Sequence, residues 1–302
     1  MFLTSLLWIS LQPSLGWENA DFSWSIADDL SNNPDPNVLS ELDFKRLLIR
    51  SAGANATFST QWDGAWQLNA RVTADYLQVE RGHSVDSDYF ESDRQGLYSR
   101  SRANISGDDG YEYLGNVGIS YAIREQQRAG FHLGYRFRRH TLNITRGTQI
   151  VADPLVFAPL SLSDLTQSLQ QNLDSDYSST WRGSTFTAFY SWTARPWTWS
   201  IQAQGMWGDY VGQGRWNMRS NFQQPRSFVH FADSQGHELA MEIAYEFTPR
   251  LQGLASYTRR VWETDQGLSR FYLSTNNIAE TRFNGAKLSE NVFSFGVTLR
   301  LR

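Results

Sequence analysis

From Trp66 to Tyr76 the chain alternates without a break. Trp66, Leu68, Ala70, Val72, Ala74 and Tyr76 are interleaved with Gln67, Asn69, Arg71, Thr73 and Asp75. A period of two belongs to a β-strand, whose successive side chains point to opposite faces. The same dyad recurs in Ala52, Ala54, Ala56, Phe58 and Trp62, in Tyr113, Val117, Ile119, Tyr121 and Ile123, and in Phe131, Leu133, Tyr135 and Phe137. It returns in Phe186, Ala188, Tyr190 and Trp192, then in Trp197, Trp199, Ile201 and Ala203. Leu239, Met241, Ile243, Tyr245 and Phe247 form a further set, and Phe293, Phe295, Val297, Leu299 and Leu301 end the chain. Arg71 and Asp75 on the second face would be costly in a dry core. An apolar face turned to lipid and a polar face turned to a lumen resolves the cost, which predicts a transmembrane antiparallel β-barrel.

The connections point the same way. Asp63-Gly64 is a tight hairpin signal, Thr193 to Pro196 and Thr248-Pro249-Arg250 are similarly short, and Arg124 to Gly130 is only slightly longer. Between them lie polar stretches at about 79–110, 148–180, 211–235 and 264–288. Short periplasmic turns alternating with long extracellular loops are the habit of outer-membrane barrels and have no counterpart in a sandwich. With a first strand near Asp21 to Ala27, the count is about ten strands, with both termini on the short-turn side. The expected fold is all-β: one Gram-negative outer-membrane barrel over residues 17–302. Side chains fill most of so small a barrel, so a wide pore is not expected.

Composition strengthens this. Of the 302 residues, 40% are hydrophobic and the mean hydropathy is −0.48, values that by themselves suit a soluble protein. No stretch approaches the roughly 20 apolar residues of a spanning helix. Yet there are 12 Trp, 13 Tyr and 18 Phe, an abundance that aromatic girdles at both membrane interfaces explain. Cysteine is absent, which removes disulfides and thiolate metal sites, and no cofactor is expected. The net charge of −4 carries no basic stripe, so nucleic acid is not an expected partner. Residues 1–16 are read as an export signal with an apolar core, although the first basic residue is Lys45. An apolar first strand is the competing reading of that segment.

One segment carries chemistry. Val85-Asp86-Ser87-Asp88-Tyr89 places two carboxylates on the same face of an extended chain, where they can share a proton and orient a water. A solvated acidic loop gives the same pattern. Here the chain resembles the omptin family, ten-stranded outer-membrane endopeptidases. The segment is similar to the one bearing that family's catalytic aspartate pair. Ser40-Glu41-Leu42-Asp43-Phe44-Lys45 resembles the opening of its second strand. Gly134-Tyr135 with Arg139, then Arg146-Gly147, resembles its lipopolysaccharide-binding strand. Asp233 through Thr248-Pro249 resembles its eighth strand and turn, and Asn284-Gly285-Ala286 with Glu290-Asn291 the entry to its last.

The resemblance implies that Asp86 and Asp88 polarise an attacking water and that Tyr135 and Arg139 contact lipopolysaccharide. It also implies an Asp-x-His pair supplying the base, and residues 214–218, where it should stand, hold neither acid nor histidine. Of the five histidines, His83 and His230 are the candidate substitutes. Two expectations remain: an omptin-like endopeptidase with weak, altered or no proteolysis, or a non-catalytic surface barrel binding lipopolysaccharide or a protein partner through its loops.

Overall fold

The computed structural model describes residues 7–301. Its strands are β1 (Leu7–Ile26), β2 (Ser40–Asp63), β3 (Trp66–Glu91), β4 (Gln95–Arg124), β5 (Gln127–Ala152), β6 (Asp174–Ala194), β7 (Trp197–Arg215), β8 (Phe228–Thr248), β9 (Leu251–Thr264), β10 (Gly267–Tyr272) and β11 (Ile278–Leu301). Two helices, α1 (Pro154–Phe157) and α2 (Leu162–Asn172), interrupt the connection from β5 to β6. Every strand pairs antiparallel with its neighbours, and β1 closes onto β11. β9 and β10 share one place, both lying between β8 and β11. The ring therefore has ten staves, as the alternation predicts. Both described ends lie beside the tight turns at 64–65, 125–126, 195–196 and 249–250.

Two boundaries differ from the sequence expectation. The first strand starts at Leu7, not near Asp21, so residues 7–16 of the segment read as a signal pair with β2 and β11. Met1 to Leu6 lie outside the described residues. The long loops are also largely strand. β3 and β4 run 26 and 30 residues and meet over residues 92–94, inside the stretch expected to be loop.

The reason is an inversion of the apolar face. Along β5, Phe131, Leu133 and Tyr135 point outward and are exposed, whereas further along Leu142 and Ile144, on the other phase, are buried inside the ring. β6 repeats this, with Phe186, Tyr190 and Trp192 outward and Tyr177 and Trp181 inward. Within lipid the apolar side chains must face out. Beyond it the outer wall meets water and the apolar side chains turn in. Aromatic residues mark the limits of the lipid band: Trp62, Trp66, Tyr121 and Trp197 at the short-turn end, Trp17, Tyr76, Tyr113 and Phe293 at the other. Trp66 and Tyr76 are ten residues apart on β3, about 25 Å along a tilted strand.

The interior is layered. Nearest the short turns it is polar, with Asn55, Asn116 and Ser120. Above comes an ionic layer in which Arg136, Arg138 and Arg260 meet Glu18, Glu112, Glu238 and Glu290. Arg138 holds Glu18 at 2.6 Å and Glu290 at 2.8 Å and also donates to Glu112. Higher still is an aromatic plug containing Phe22, Trp24, Phe44, Tyr177, Trp181, Tyr210, Trp262 and Phe283. The lumen is thus polar only in its lower half. Glycines make room for the plug. A Cβ at Gly236 would stand 2.1 Å from Trp262 Cδ1, and one at Gly214 2.2 Å from Phe228 Cζ.

Candidate functional site

At the rim opposite the short turns, β2, β3 and β4 bring Ser40, Asp88 and Ser99 into one row and Leu42, Asp86 and Ser101 into the next. Leu42 is buried within the ring, so Asp86 and Asp88, in phase with it, also face inward. The carboxylate pair therefore stands above the plug and below the loops. Asp88 accepts hydrogen bonds from the Ser40 and Ser99 hydroxyls, and Arg219 Nη2 approaches it at 4.0 Å. Burial, then the charge of Asp88, pushes Asp86 up to about 8. Burial raises Asp88 as well, against the two serines and Arg219. The Tyr98 hydroxyl beside them is pushed up to about 12, by burial first and then by the negative charge of Asp88. A shared proton suits such a pair.

The histidines named from the sequence lie elsewhere. His83 is three residues before Asp86 and belongs to the opposite face of β3, on the outer wall near Arg46 and Arg102. Partial burial and those two cations lower its pKa. His230 has no exposure and lies within the plug. Its Nδ1 meets the Tyr177 hydroxyl at 3.0 Å, and its ring stacks on Phe283 and Phe228 with centroids 4.4 and 4.9 Å away. Burial drives its pKa down to about 3, the mark of a neutral core side chain. Its isolated position in a polar stretch gave no sign of this; Tyr177, Tyr210 and Phe283 come from distant strands.

The stretch 214–218 is structural. Gly214 lies against the Phe228 ring, and Trp216 packs edge-on to Phe228 at 4.8 Å. Asn217 Oδ1 accepts from the Asp174 N–H at 3.0 Å, and its Nδ2 donates to the Asn172 carbonyl at 2.7 Å, tying this connection to the end of α2. The charged side chain it extends toward Asp88 is Arg219, which carries no lone pair for proton abstraction. Sequence inspection missed Arg219, Tyr98, Ser40 and Ser99 as neighbours of the pair, because cross-strand register brings them together.

Tyr135 and Arg139 do point outward on β5, as parity predicts. Tyr135 is exposed. Phe137, between them, stacks on Tyr111 at 5.7 Å, and Arg139 Nη2 reaches Ser178 Oγ at 3.4 Å.

Known proteins add a family and a fold. The model of the family described as "Pom: Protochlamydia outer membrane protein" matches residues 13–302. Among solved structures, the outer membrane protease OmpT from Escherichia coli superposes with a TM-score of 0.71 over 97% of each chain at 12% identity, a likeness of fold alone. The outer membrane protein OprG from Pseudomonas aeruginosa gives 0.35 at 8% identity, covering 99% of this chain and 97% of that one. A FadL homologue from the same organism gives 0.33 at 10% identity, covering 97% and 90%. No curated protein matches.

Proposed function

The chain belongs to the Protochlamydia outer membrane protein family, and from that premise we propose that it is a surface receptor-like barrel of the Gram-negative outer membrane that binds without hydrolysing. Its carboxylate-lined rim would engage a cationic group of an extracellular protein or peptide. One observation carries this reading: the connection that should bring a general base to Asp86 and Asp88 brings Arg219 instead. A missing base costs about 10²–10⁴-fold in rate. Asp88 with the Arg219 guanidinium at 4.0 Å is a carboxylate–cation site that a partner's own cation can enter by exchange.

A second reading is an endopeptidase of altered mechanism. It is supported by the inward-facing Asp86 and Asp88 at the rim of a barrel whose fold is shared with a protease. Fluorogenic peptides offered to refolded protein, with and without lipopolysaccharide, separate the two. The binding reading expects turnover no greater than that of a D86N/D88N double variant, together with peptide binding weakened in that variant. Turnover above background that either single substitution abolishes would replace it with the endopeptidase.

A further inference from the structure

Two neighbouring strands bulge at one height. β2 carries an extra residue between Phe44 and Leu48, against both β1 and β3, and β3 carries one between Val79 and Gly82, against both β2 and β4. A bulge bends its strand and re-aims a side chain, and bulges gather beside sites. Here they open a cleft of about 770 Å³ on the outer wall, lined by Arg46, Arg81, His83, Arg259, Asp21 and Asn291 among others. Arg46 sits at φ +53°, a left-handed conformation unfavourable for a side chain of its kind, and its N–H donates to Asp21 Oδ1 at 2.8 Å. Backbone strain of this sort persists where the surroundings fix it, and it gathers at ligand sites.

The cleft's height is fixed by the strands that make it. Trp17, Phe293 and Tyr257 are cross-strand partners in the outward aromatic row. Asn19, Asn291 and Arg259 form the next outward row, two residues further from the membrane. Such a place meets lipid headgroups, with acyl chains against the aromatic row below.

Its charge is one-sided. Arg46, Arg81 and Arg259 are exposed, and none has a carboxylate within ion-pair distance among the described residues. The neighbouring Arg50 and Lys45, by contrast, are matched with Glu80 at 2.6 Å and Asp43 at 3.2 Å. Arg259 is aimed by Ser289 Oγ at 2.7 Å and the Glu290 carbonyl at 3.4 Å. Asp21 is the single carboxylate lining the cleft, and it is engaged with Arg46.

We propose that this cleft binds the phosphorylated sugar headgroup of an outer-leaflet glycolipid of lipid A type, with Arg46, Arg81 and Arg259 as the phosphate ligands. The planar fork of arginine matches phosphate oxygens in pairs, and three forks around one cleft suit a headgroup bearing phosphate on a sugar. Asn19, Asn291 and Ser289 supply donors and acceptors for sugar hydroxyls. The site is separate from Tyr135 and Arg139, which lie on β5, two strands beyond β3.

The test uses full-length protein refolded in detergent, with binding followed by native mass spectrometry. Diphosphoryl lipid A, its dephosphorylated form and inorganic phosphate are the probes. Diphosphoryl lipid A should bind, and the R46Q/R81Q/R259Q variant should bind it at least about tenfold more weakly, a modest loss for three charged contacts. An R81Q/R259Q variant, which leaves the Arg46 bulge intact, should show the same tenfold loss, while R139Q should keep the cleft's share of binding. Equal binding of the dephosphorylated lipid, displacement by inorganic phosphate at the lipid's concentration, or undiminished binding by the double variant would overturn the proposal.

Discussion

Asp86 holds its proton because its carboxyl is buried away from water and, secondly, because the Asp88 carboxyl stands beside it. Its pKa of about 8 in the folded barrel exceeds the roughly 4 of an unfolded aspartate. The stability linked to that difference is therefore fully present below about pH 4 and is lost as pH rises through about 8. Urea unfolding from pH 4 to 9 should show this decline in the wild type, with Asp86→Asn flattening it. An unaltered pH profile in Asp86→Asn would mean the carboxyl is better hydrated than its position implies. The ionic layer offers a second test at this scale. Arg138 is fully buried among three glutamates, and Arg138→Ala strands Glu18, whose ion-pair partner it is, while Glu112 and Glu290 keep Arg260. Breaking a buried pair costs about 3–5 kcal/mol, which equilibrium unfolding in lipid vesicles would read.

Among the strands, the height at which the apolar face inverts decides what each position tolerates. Val117 on β4 is 62% exposed within the lipid band, whereas Asn104, further up the same strand, faces water. Val117→Arg should cost about 2–4 kcal/mol in folding into vesicles. Asn104→Arg should stay within about 0.5 kcal/mol. Similar costs for both would place the lipid boundary elsewhere. Above that boundary the plug takes over from lipid as the apolar environment. Trp181 has no exposure and meets Tyr210 and Trp262 at 4.6 and 5.7 Å, so Trp181→Ala should cost about 3–5 kcal/mol.

For the whole molecule, β1 closes the ring onto β11, and the aromatic plug stacked on the ionic layer fills the bore. Reconstituted into planar bilayers, the protein should therefore show no steady ion conductance. Sustained open-channel currents would show that the plug moves aside. Tags at Asp93, Ser168, Gln224 and Thr275 should be reached from outside intact cells, and tags at Gly64 or Pro249 should not. The opposite pattern would invert the barrel.

The sequence by itself determined the strand period, the number of staves, the tight turns and the lipid-facing residues. These rest on local rules: side chains alternate along a strand, and the hydrocarbon band demands an apolar outer face. That Asp86 and Asp88 share a face was legible for the same reason, but their inward aim was not: the even positions of β3 from Trp66 to Tyr76 face lipid, and the register shift between Val79 and Gly82 turns the later even positions inward. The tertiary structure alone decided how far the strands run beyond the membrane, because there water and plug exchange places and the alternation reverses its sense. It also decided that His230 is a core residue, that Arg219 faces Asp88, and that bulges on β2 and β3 help gather arginines from β2, β3 and β9 into one cleft. Each of these depends on register between strands, and register is set when the whole ring closes, not by any one segment.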